Sequence, residues 1–126
     1  MFNPNFMLIY VKDAKRSRQF YAELFDRDPV KESSDFAMFV LDSGLKFAMW
    51  SREKVLPAPA VEPGGSELVF SIDSDAALEA LYSEWIGRNL AIAQRPTRLD
   101  FGYSFVALDP DGHRLRLYAP AEDATQ

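Results

Sequence analysis

The sequence predicts an α+β fold made of two βαβββ modules, with a cleft between their curved mixed sheets. Two internal repeats are the basis of this prediction. One relates residues 6–13 to residues 67–74, and the other relates residues 44–50 to residues 112–118. Between the two halves, segment 53–65 holds three prolines and two glycines and is typical of a linker.

The first repeat predicts a strand followed by a helix in each half. The two β-rich runs end at Asp13 and Ser74, which are residue types that cap helix N-termini. After each cap, apolar side chains recur at positions i, i+1, i+4 and i+5, and this spacing favours one buried helix face. These side chains are Phe20, Tyr21, Leu24 and Phe25 in the first half, and Leu81, Tyr82, Trp85 and Ile86 in the second.

The second repeat predicts a β-hairpin that closes each half. A turn signal at residues 42–44 or 109–112 separates two β-like runs, and a weakly defined strand is expected before each hairpin, near residues 30–32 and 91–94. We therefore expect a single domain over residues 1–126. Its parts are module one at about 5–52, the linker at 53–65, module two at about 66–120 and a frayed tail at 121–126.

The composition argues against several classes of partner. With 48% apolar and 26% charged residues, the chain of 126 residues is balanced for a globular protein, and no apolar run approaches the ~18 residues of a membrane span. The N-terminal segment lacks signal-peptide features, so a cytoplasmic location without a membrane partner is expected by default. A net charge of −5 makes the chain a poor candidate for binding nucleic acid.

Side chains suited to metal binding or thiol chemistry are scarce. The chain contains no cysteine, which excludes disulfides and thiol catalysis. Its single histidine, His113, falls in the second turn signal, whereas most catalytic transition-metal sites use two or three histidines. No nucleophile with a neighbouring base is visible either. We interpret His113 as a solvated turn residue.

The paired modules and the segment DPDGHRLRLYAP at residues 109–120 resemble the vicinal oxygen chelate superfamily. Its members include glyoxalase I, extradiol dioxygenases and the bleomycin- and fosfomycin-resistance proteins. Within it, the sequence is most similar to the phenazine-antibiotic resistance proteins. The segments that carry this narrower likeness are residues 47–51, 83–85, 100–102 and 109–113. The resemblance implies a homodimer whose ligand clefts are built from both chains.

The resemblance also places the metal-ligand positions of the superfamily. They fall on Phe6, Ala48, Glu67 and Arg116, where the enzymes of the superfamily carry His or Glu. One carboxylate beside a guanidinium is a poor set for a divalent ion, because arginine has no lone pair to offer. The sequence departs from the metal-binding pattern at three of these four positions, so we expect no metal and no other cofactor.

Because those positions point into the cleft, strand alternation predicts which other side chains line it. A two-residue turn at Ser43 and Gly44 would add Phe39, opposite Ala48. We expect an aromatic pocket with Glu67 and Arg116 at its floor, forming an ion pair across neighbouring strands. The predicted ligand-binding residues are Tyr10, Phe39, Ala48, Trp50, Glu67, Tyr103, Phe105, Arg116 and Tyr118.

Several of these residues have a plainer interpretation. Trp50 could be a core residue at a strand end, and the pair Glu67–Arg116 could be a structural ion pair rather than a contact to a ligand. Tyr103 and Phe105 could belong to a dimer interface. For Trp85, the helix pattern favours the core.

Three functions fit the sequence. The favoured one is metal-independent binding and sequestration of a planar aromatic small molecule, as in phenazine or bleomycin resistance, with no catalytic residues. The alternative is a lyase or dioxygenase of the superfamily with an unrecognised metal site. The third is an interaction module with a vestigial cleft.

Overall fold

The computed structural model describes residues 2–121 and shows two compact units, the first ending at Val61 and the second beginning at Glu62. Each unit is a βαβββ module with one helix and one four-stranded mixed sheet, as predicted. The first contains β1 (Phe6–Val11), α1 (Ala14–Phe25), β2 (Lys31–Glu32), β3 (Phe36–Val40), β4 (Lys46–Ser51) and a short 3₁₀ helix (Arg52–Lys54). The second contains β5 (Glu67–Ser71), α2 (Asp75–Gly87), β6 (Ala91–Leu99), β7 (Gly102–Leu108) and β8 (Arg114–Pro120).

The two sheets have equivalent topology. Their strand orders are β1-β4-β3-β2 and β5-β8-β7-β6, and in each the first strand pairs in parallel with the last while the other pairs are antiparallel. None of the helices within residues 2–121 is both long enough and apolar enough to cross a membrane.

Both predicted helix caps are confirmed. The Asp13 carboxylate accepts hydrogen bonds from the backbone N–H groups of Lys15 and Arg16, at 3.0 and 3.2 Å. The Ser74 hydroxyl accepts from the N–H of Ala77 at 3.0 Å. These bonds satisfy N–H groups that the first helical turn leaves without a backbone partner.

Each helix packs its apolar side chains on one face of its own sheet. Tyr21 of α1 is 1% exposed and meets the ring of Phe47 at 4.8 Å. Trp85 of α2 is 5% exposed and meets the ring of Phe105 at 5.6 Å, as the interpretation of Trp85 as a core residue predicted. Ile86 was expected in the same stripe, but it is 46% exposed.

Both hairpins have three-residue loops, so the two-residue turn predicted for the first hairpin is wrong. Leu41 donates its N–H to the carbonyl of Leu45 at 2.9 Å, and Asp109 donates to His113 at 3.0 Å. The last loop residues, Gly44 and Gly112, both have φ +92°, a conformation that favours glycine. The extra loop residue shifts the register by one, and a one-residue shift moves every side chain of a strand to the opposite face.

The placement predicted for Phe39, Tyr103 and Phe105 is therefore wrong. Phe39 is paired with Phe47 and Phe105 with Leu117, so both lie beneath the helices and are fully buried. Tyr103 also takes the helix side, because its hydroxyl donates to Glu79 of α2 at 2.6 Å. The burial of Phe105 in its own unit also excludes the dimer-interface interpretation of that residue.

Parts of the expected linker and tail are held in place. Val55, inside segment 53–65, is 3% exposed, and residues up to Val61 belong to the first unit. Ala121 donates its backbone N–H to the carbonyl of Phe101 at 3.0 Å. The rest of the predicted tail, residues 122–126, lies outside the described residues.

Candidate functional site

Each sheet has one face that its own helix does not cover, here called the helix-free face. In the first unit this face carries three rows of side chains set by the strand register. The rows, from β1 across β4 to β3, are Tyr10–Trp50–Phe36, Leu8–Ala48–Met38 and Phe6–Lys46–Val40. Lys31 of β2 is in register with Met38 and extends the middle row.

The aromatic row Tyr10–Trp50–Phe36 is the distinctive feature of the first helix-free face. Tyr10 is 36% exposed, and Trp50 and Phe36 are half-buried. Beside this row, Ala48 carries only a methyl group and is fully buried. Trp50, Tyr10 and Ala48 thus lie on the face that strand alternation predicted. Phe36 is not among the predicted residues, because a two-residue turn would place its side chain on the opposite face. The signal that could have found it is the segment Asp42-Ser43-Gly44, which suits a three-residue loop ending in glycine.

The second helix-free face is more polar. Its rows, from β5 across β8 to β7, are Ser71–Tyr118–Ser104, Val69–Arg116–Val106 and Glu67–Arg114–Leu108. Gln94 and Thr97 of β6 are in register with Val106 and Ser104. Glu67, Arg116 and Tyr118 lie on the predicted face.

The predicted ion pair between Glu67 and Arg116 is confirmed, and it is bidentate. The Nε and Nη2 atoms of Arg116 donate to Oε1 and Oε2 of Glu67 at 2.7 and 2.9 Å. The Nη1 atom also donates to the hydroxyl of Ser104 at 3.0 Å, and Ser104 is itself fully buried. The two charged side chains are 17% and 26% exposed, so solvent screens this pair only in part.

The pair shifts the ionisation of both partners in the direction that keeps them charged. The hydrogen bonds from Arg116 lower the pKa of Glu67, and partial burial opposes that shift without reversing it. The same hydrogen bonds raise the pKa of Arg116 above its already high value. Glu67 is therefore a carboxylate whose oxygen atoms are already engaged by a guanidinium.

The residues at the superfamily's metal positions do not suit a divalent ion. Phe6 and Ala48 offer no donor atoms, and both carboxylate oxygens of Glu67 accept hydrogen bonds from Arg116. Arg116 itself has no lone pair to share. Across residues 2–121, no cluster of three or more His, Cys, Asp or Glu side chains could hold a metal ion.

Phe101 is a neighbour of this network that the sequence analysis did not include in the site. Its ring lies 5.7 Å from that of Tyr118, and the Arg116 guanidinium carbon is 5.9 Å from the centre of the Phe101 ring. Phe101 is 40% exposed. The available signal was segment 100–102, which helped to carry the resemblance but was not assigned a role.

Tyr103 belongs to a separate cluster on the helix side of the second sheet. Its hydroxyl donates to Glu79, and this hydrogen bond raises the pKa of Tyr103. The guanidinium of Arg98 lies 4.8 Å from the centre of the Tyr103 ring, and Arg98 also pairs with Asp75 of α2 at 2.6 Å. These contacts tie α2 to β6 and β7.

The family model for the glyoxalase/bleomycin resistance protein/dioxygenase superfamily matches residues 3–117. The chain belongs to this superfamily. The match spans both modules, and it agrees with the equivalent topology of the two sheets.

Three known proteins illustrate what the chain is similar to in sequence and in structure. The chain is 30% identical over 118 residues to the phenazine antibiotic resistance protein EhpR of Enterobacter agglomerans, covering 90% of this chain and 89% of that one. The solution structure of protein ATC0852 from Agrobacterium tumefaciens is 41% identical, with a TM-score of 0.85 over 96% of this chain and 99% of that one. A glyoxalase-related enzyme from Fulvimarina pelagi shares the fold, with a TM-score of 0.81 at 17% identity over 94% of this chain and 88% of that one.

Proposed function

We propose that this member of the superfamily binds and sequesters a planar aromatic small molecule in the cytoplasm, without a metal ion and without altering the ligand. The class of ligand comes from its likeness to a phenazine antibiotic resistance protein. The observation that carries the proposal is the aromatic row Tyr10–Trp50–Phe36, which lies on a face that no helix of its own unit covers. Such a row suits a flat, fused-ring ligand.

The chemistry of the row supports binding by stacking. Trp50 lies in the centre with an aromatic neighbour in register on each side. Offset stacking contributes about 0.5–1.5 kcal/mol per aromatic pair beyond the burial of apolar area. The methyl group of Ala48 beside Trp50 adds no bulk that would hold a flat ligand away from the indole.

The side chains at the metal positions support binding without a metal. The carboxylate of Glu67, the only potential ligand among the four positions, is already neutralised by Arg116. Sequestration requires a tight stoichiometric complex and no nucleophile or base, so this chemistry is consistent with the side chains present.

The first experiment measures phenazine binding by isothermal titration calorimetry. Trp50→Ala should weaken the affinity by about 5- to 150-fold, which corresponds to about 1–3 kcal/mol of lost stacking and burial. Phe2→Ala is the matched control, because Phe2 is 92% exposed and should leave the affinity unchanged. In the Trp85→Phe background, the remaining fluorescence comes from Trp50 and should be quenched by the ligand. Equal affinities for wild type and Trp50→Ala would contradict the proposal.

The second experiment separates binding from metal-dependent catalysis. Protein purified without chelator should contain no stoichiometric metal by elemental analysis, and its phenazine affinity should be the same with and without EDTA. A tightly held metal that is needed for binding would instead favour a lyase or dioxygenase of the superfamily.

A thermal-shift measurement tests the third interpretation. A ligand at ~100 times its Kd should add ~2.7 kcal/mol to the free energy of unfolding and raise the Tm by several degrees. If no flat aromatic compound raises the Tm, the third interpretation, a vestigial cleft, is favoured.

A further inference from the structure

We propose that the ligand is an anion, namely a planar aromatic compound with a carboxylate or similar acidic group, and that Lys46 receives its charge. This inference rests on the proposed function, since it assigns the ligand class of the same site. The observation behind it is the distribution of charge between the two faces of each sheet.

Basic residues prevail on the helix-free faces of an acidic protein. The chain as a whole carries a net charge of −5. Yet the charged residues in register on the two helix-free faces are four basic residues and a single acidic one, namely Lys31, Lys46, Arg114, Arg116 and Glu67. On the first of these faces, which carries the aromatic row, both charged residues in register, Lys31 and Lys46, are basic. Cations beside an aromatic row favour an anionic aromatic ligand.

Three acidic residues, Glu32, Asp75 and Glu79, have partners on the helix side of the sheets. Glu32 follows Lys31 directly in β2, takes the opposite face and pairs with Arg18 of α1 at 2.7 Å. In the second unit, Asp75 of α2 forms an ion pair with Arg98, and Glu79 of α2 accepts a hydrogen bond from Tyr103. These carboxylates are committed to contacts between helix and sheet, so they do not neutralise the helix-free faces.

Lys46 is a cation on the same strand and the same face as Trp50. It is half-buried on β4, where its neighbours in register are Phe6 and Val40, and within residues 2–121 it forms no ion pair. Among the described residues no acidic side chain pairs with its ammonium group, so an anionic ligand would supply the missing partner. Lys46 and Trp50 lie four residues apart on one strand, or about 13 Å between Cα atoms. Only Ala48 separates them on that face, so a fused-ring ligand stacked on Trp50 can extend its acidic group towards Lys46.

The second helix-free face carries the same bias. Arg116 is neutralised by Glu67, but Arg114 reaches the same carboxylate only at 3.9 Å and its side chain is 49% exposed. One carboxylate therefore serves two guanidinium groups, and this face keeps an excess positive charge as well.

The experiment compares two probes of similar shape, neutral phenazine and anionic phenazine-1-carboxylate, by calorimetry. Wild type should bind the carboxylate about 10-fold more tightly, as expected for one charge-assisted contact. Lys46→Met should abolish that preference, and Lys46→Arg should retain it. Lys15→Met is the control. Lys15 is exposed on α1, so this variant loses one positive charge at a position outside the helix-free face. Added salt should weaken binding of the carboxylate only.

The outcomes distinguish this inference from the function on which it rests. If both probes bind wild type equally, or if Lys46→Met leaves their ratio unchanged, the inference is wrong while the proposed function stands. If neither probe binds, or if Trp50→Ala affects neither, the proposed function fails and the inference falls with it.

Discussion

Arg116 is fixed by its neighbours on three strands, Glu67 on β5, Ser104 on β7 and Gln94 on β6. In the first sheet the equivalent position in the register is Ala48, which is paired with Leu8 where Arg116 is paired with Val69. Equivalent positions in the two modules thus hold a methyl group in one case and a charged network in the other. That difference leaves the first helix-free face apolar beside Trp50 and makes the second face polar.

At this scale, the ion pair predicts a specific stability loss. Arg116→Met leaves the Glu67 carboxylate partly buried without its partner. We therefore expect the free energy of unfolding to fall by about 1–3 kcal/mol. Arg114→Met is the control and should cost less than about 0.5 kcal/mol, since its distance to Glu67 is 3.9 Å. Urea unfolding measures both. The double variant Glu67→Gln/Arg116→Met should recover part of the loss, and equal losses for the two single arginine variants would contradict this role for the pair.

The lowered pKa of Glu67 predicts how stability depends on pH. Because the carboxyl group has a lower pKa in the folded state than in the unfolded chain, its contribution is fully present above the unfolded value of about 4.3. That contribution is lost as the pH falls through the folded-state pKa, when Glu67 takes up a proton. The stability difference between wild type and Glu67→Gln should therefore be constant from pH 8 to pH 6 and shrink below pH 4. If the stability difference between the two proteins grew on acidification, the lowered pKa of Glu67 would be contradicted.

At the scale of the element, the three-residue hairpin loops decide the contents of both helix-free faces. Each loop ends in a glycine with φ +92° and puts one residue more between the strands than a two-residue turn would. As a result, Met38 rather than Phe39 lies opposite Ala48, and Phe36 lies beside Trp50. In the second sheet, Ser104 rather than Tyr103 or Phe105 lies beside Tyr118.

The start of β7 predicts a strong glycine requirement. Gly102 has φ +149°, and a Cβ atom at this position would collide with the backbone carbonyl oxygen of Ala119 on β8. Since the obstacle is backbone in a paired strand, Gly102→Ala should destabilise the protein by more than about 2 kcal/mol. Gly87→Ala in α2 meets no atom within 4 Å and should be neutral or stabilise by up to about 1 kcal/mol. Thermal unfolding of the two variants gives the comparison, and similar Tm values would contradict it.

At the scale of the whole molecule, exposed apolar residues of the helix-free faces favour association of two chains. Phe6 is 44% exposed, Leu8 and Val40 are each 36% exposed, and Val69 is 52% exposed. A homodimer that covers part of this surface would remove it from water.

We therefore expect sedimentation analysis at micromolar concentration to give the mass of two chains. Leu8→Lys should shift the equilibrium towards the monomer, because it places a charge on the apolar surface. Val61→Lys is the control, since Val61 is 77% exposed and lies outside the helix-free faces. A wild-type protein that sediments as a single chain would contradict the expectation.

By itself, the sequence determined those features that depend on local signals or on strand adjacency. The caps at Asp13 and Ser74 require only a side chain two or three residues from the N–H groups it accepts, so they can be predicted from spacing. The two βαβββ modules follow from repeats that carry the same cap and helix pattern. The pair Glu67–Arg116 could be predicted because both strands were placed by the superfamily resemblance, and alternation then fixed their common face.

Only the tertiary structure decided the hairpin register, and with it the neighbours of Trp50 and Tyr118. Strand side chains alternate with a period of two, so one loop residue moves Phe39 or Phe105 from one face to the other, and both faces of these strands are apolar enough to accept either choice. The order of polar and apolar residues along these strands therefore does not distinguish the two hairpin registers. Adjacent residues of a strand point in opposite directions, so Lys31 and Glu32 take opposite faces of the first sheet. The pairing of β2 with β3 and of β3 with β4 places Lys31 on the same face as Lys46.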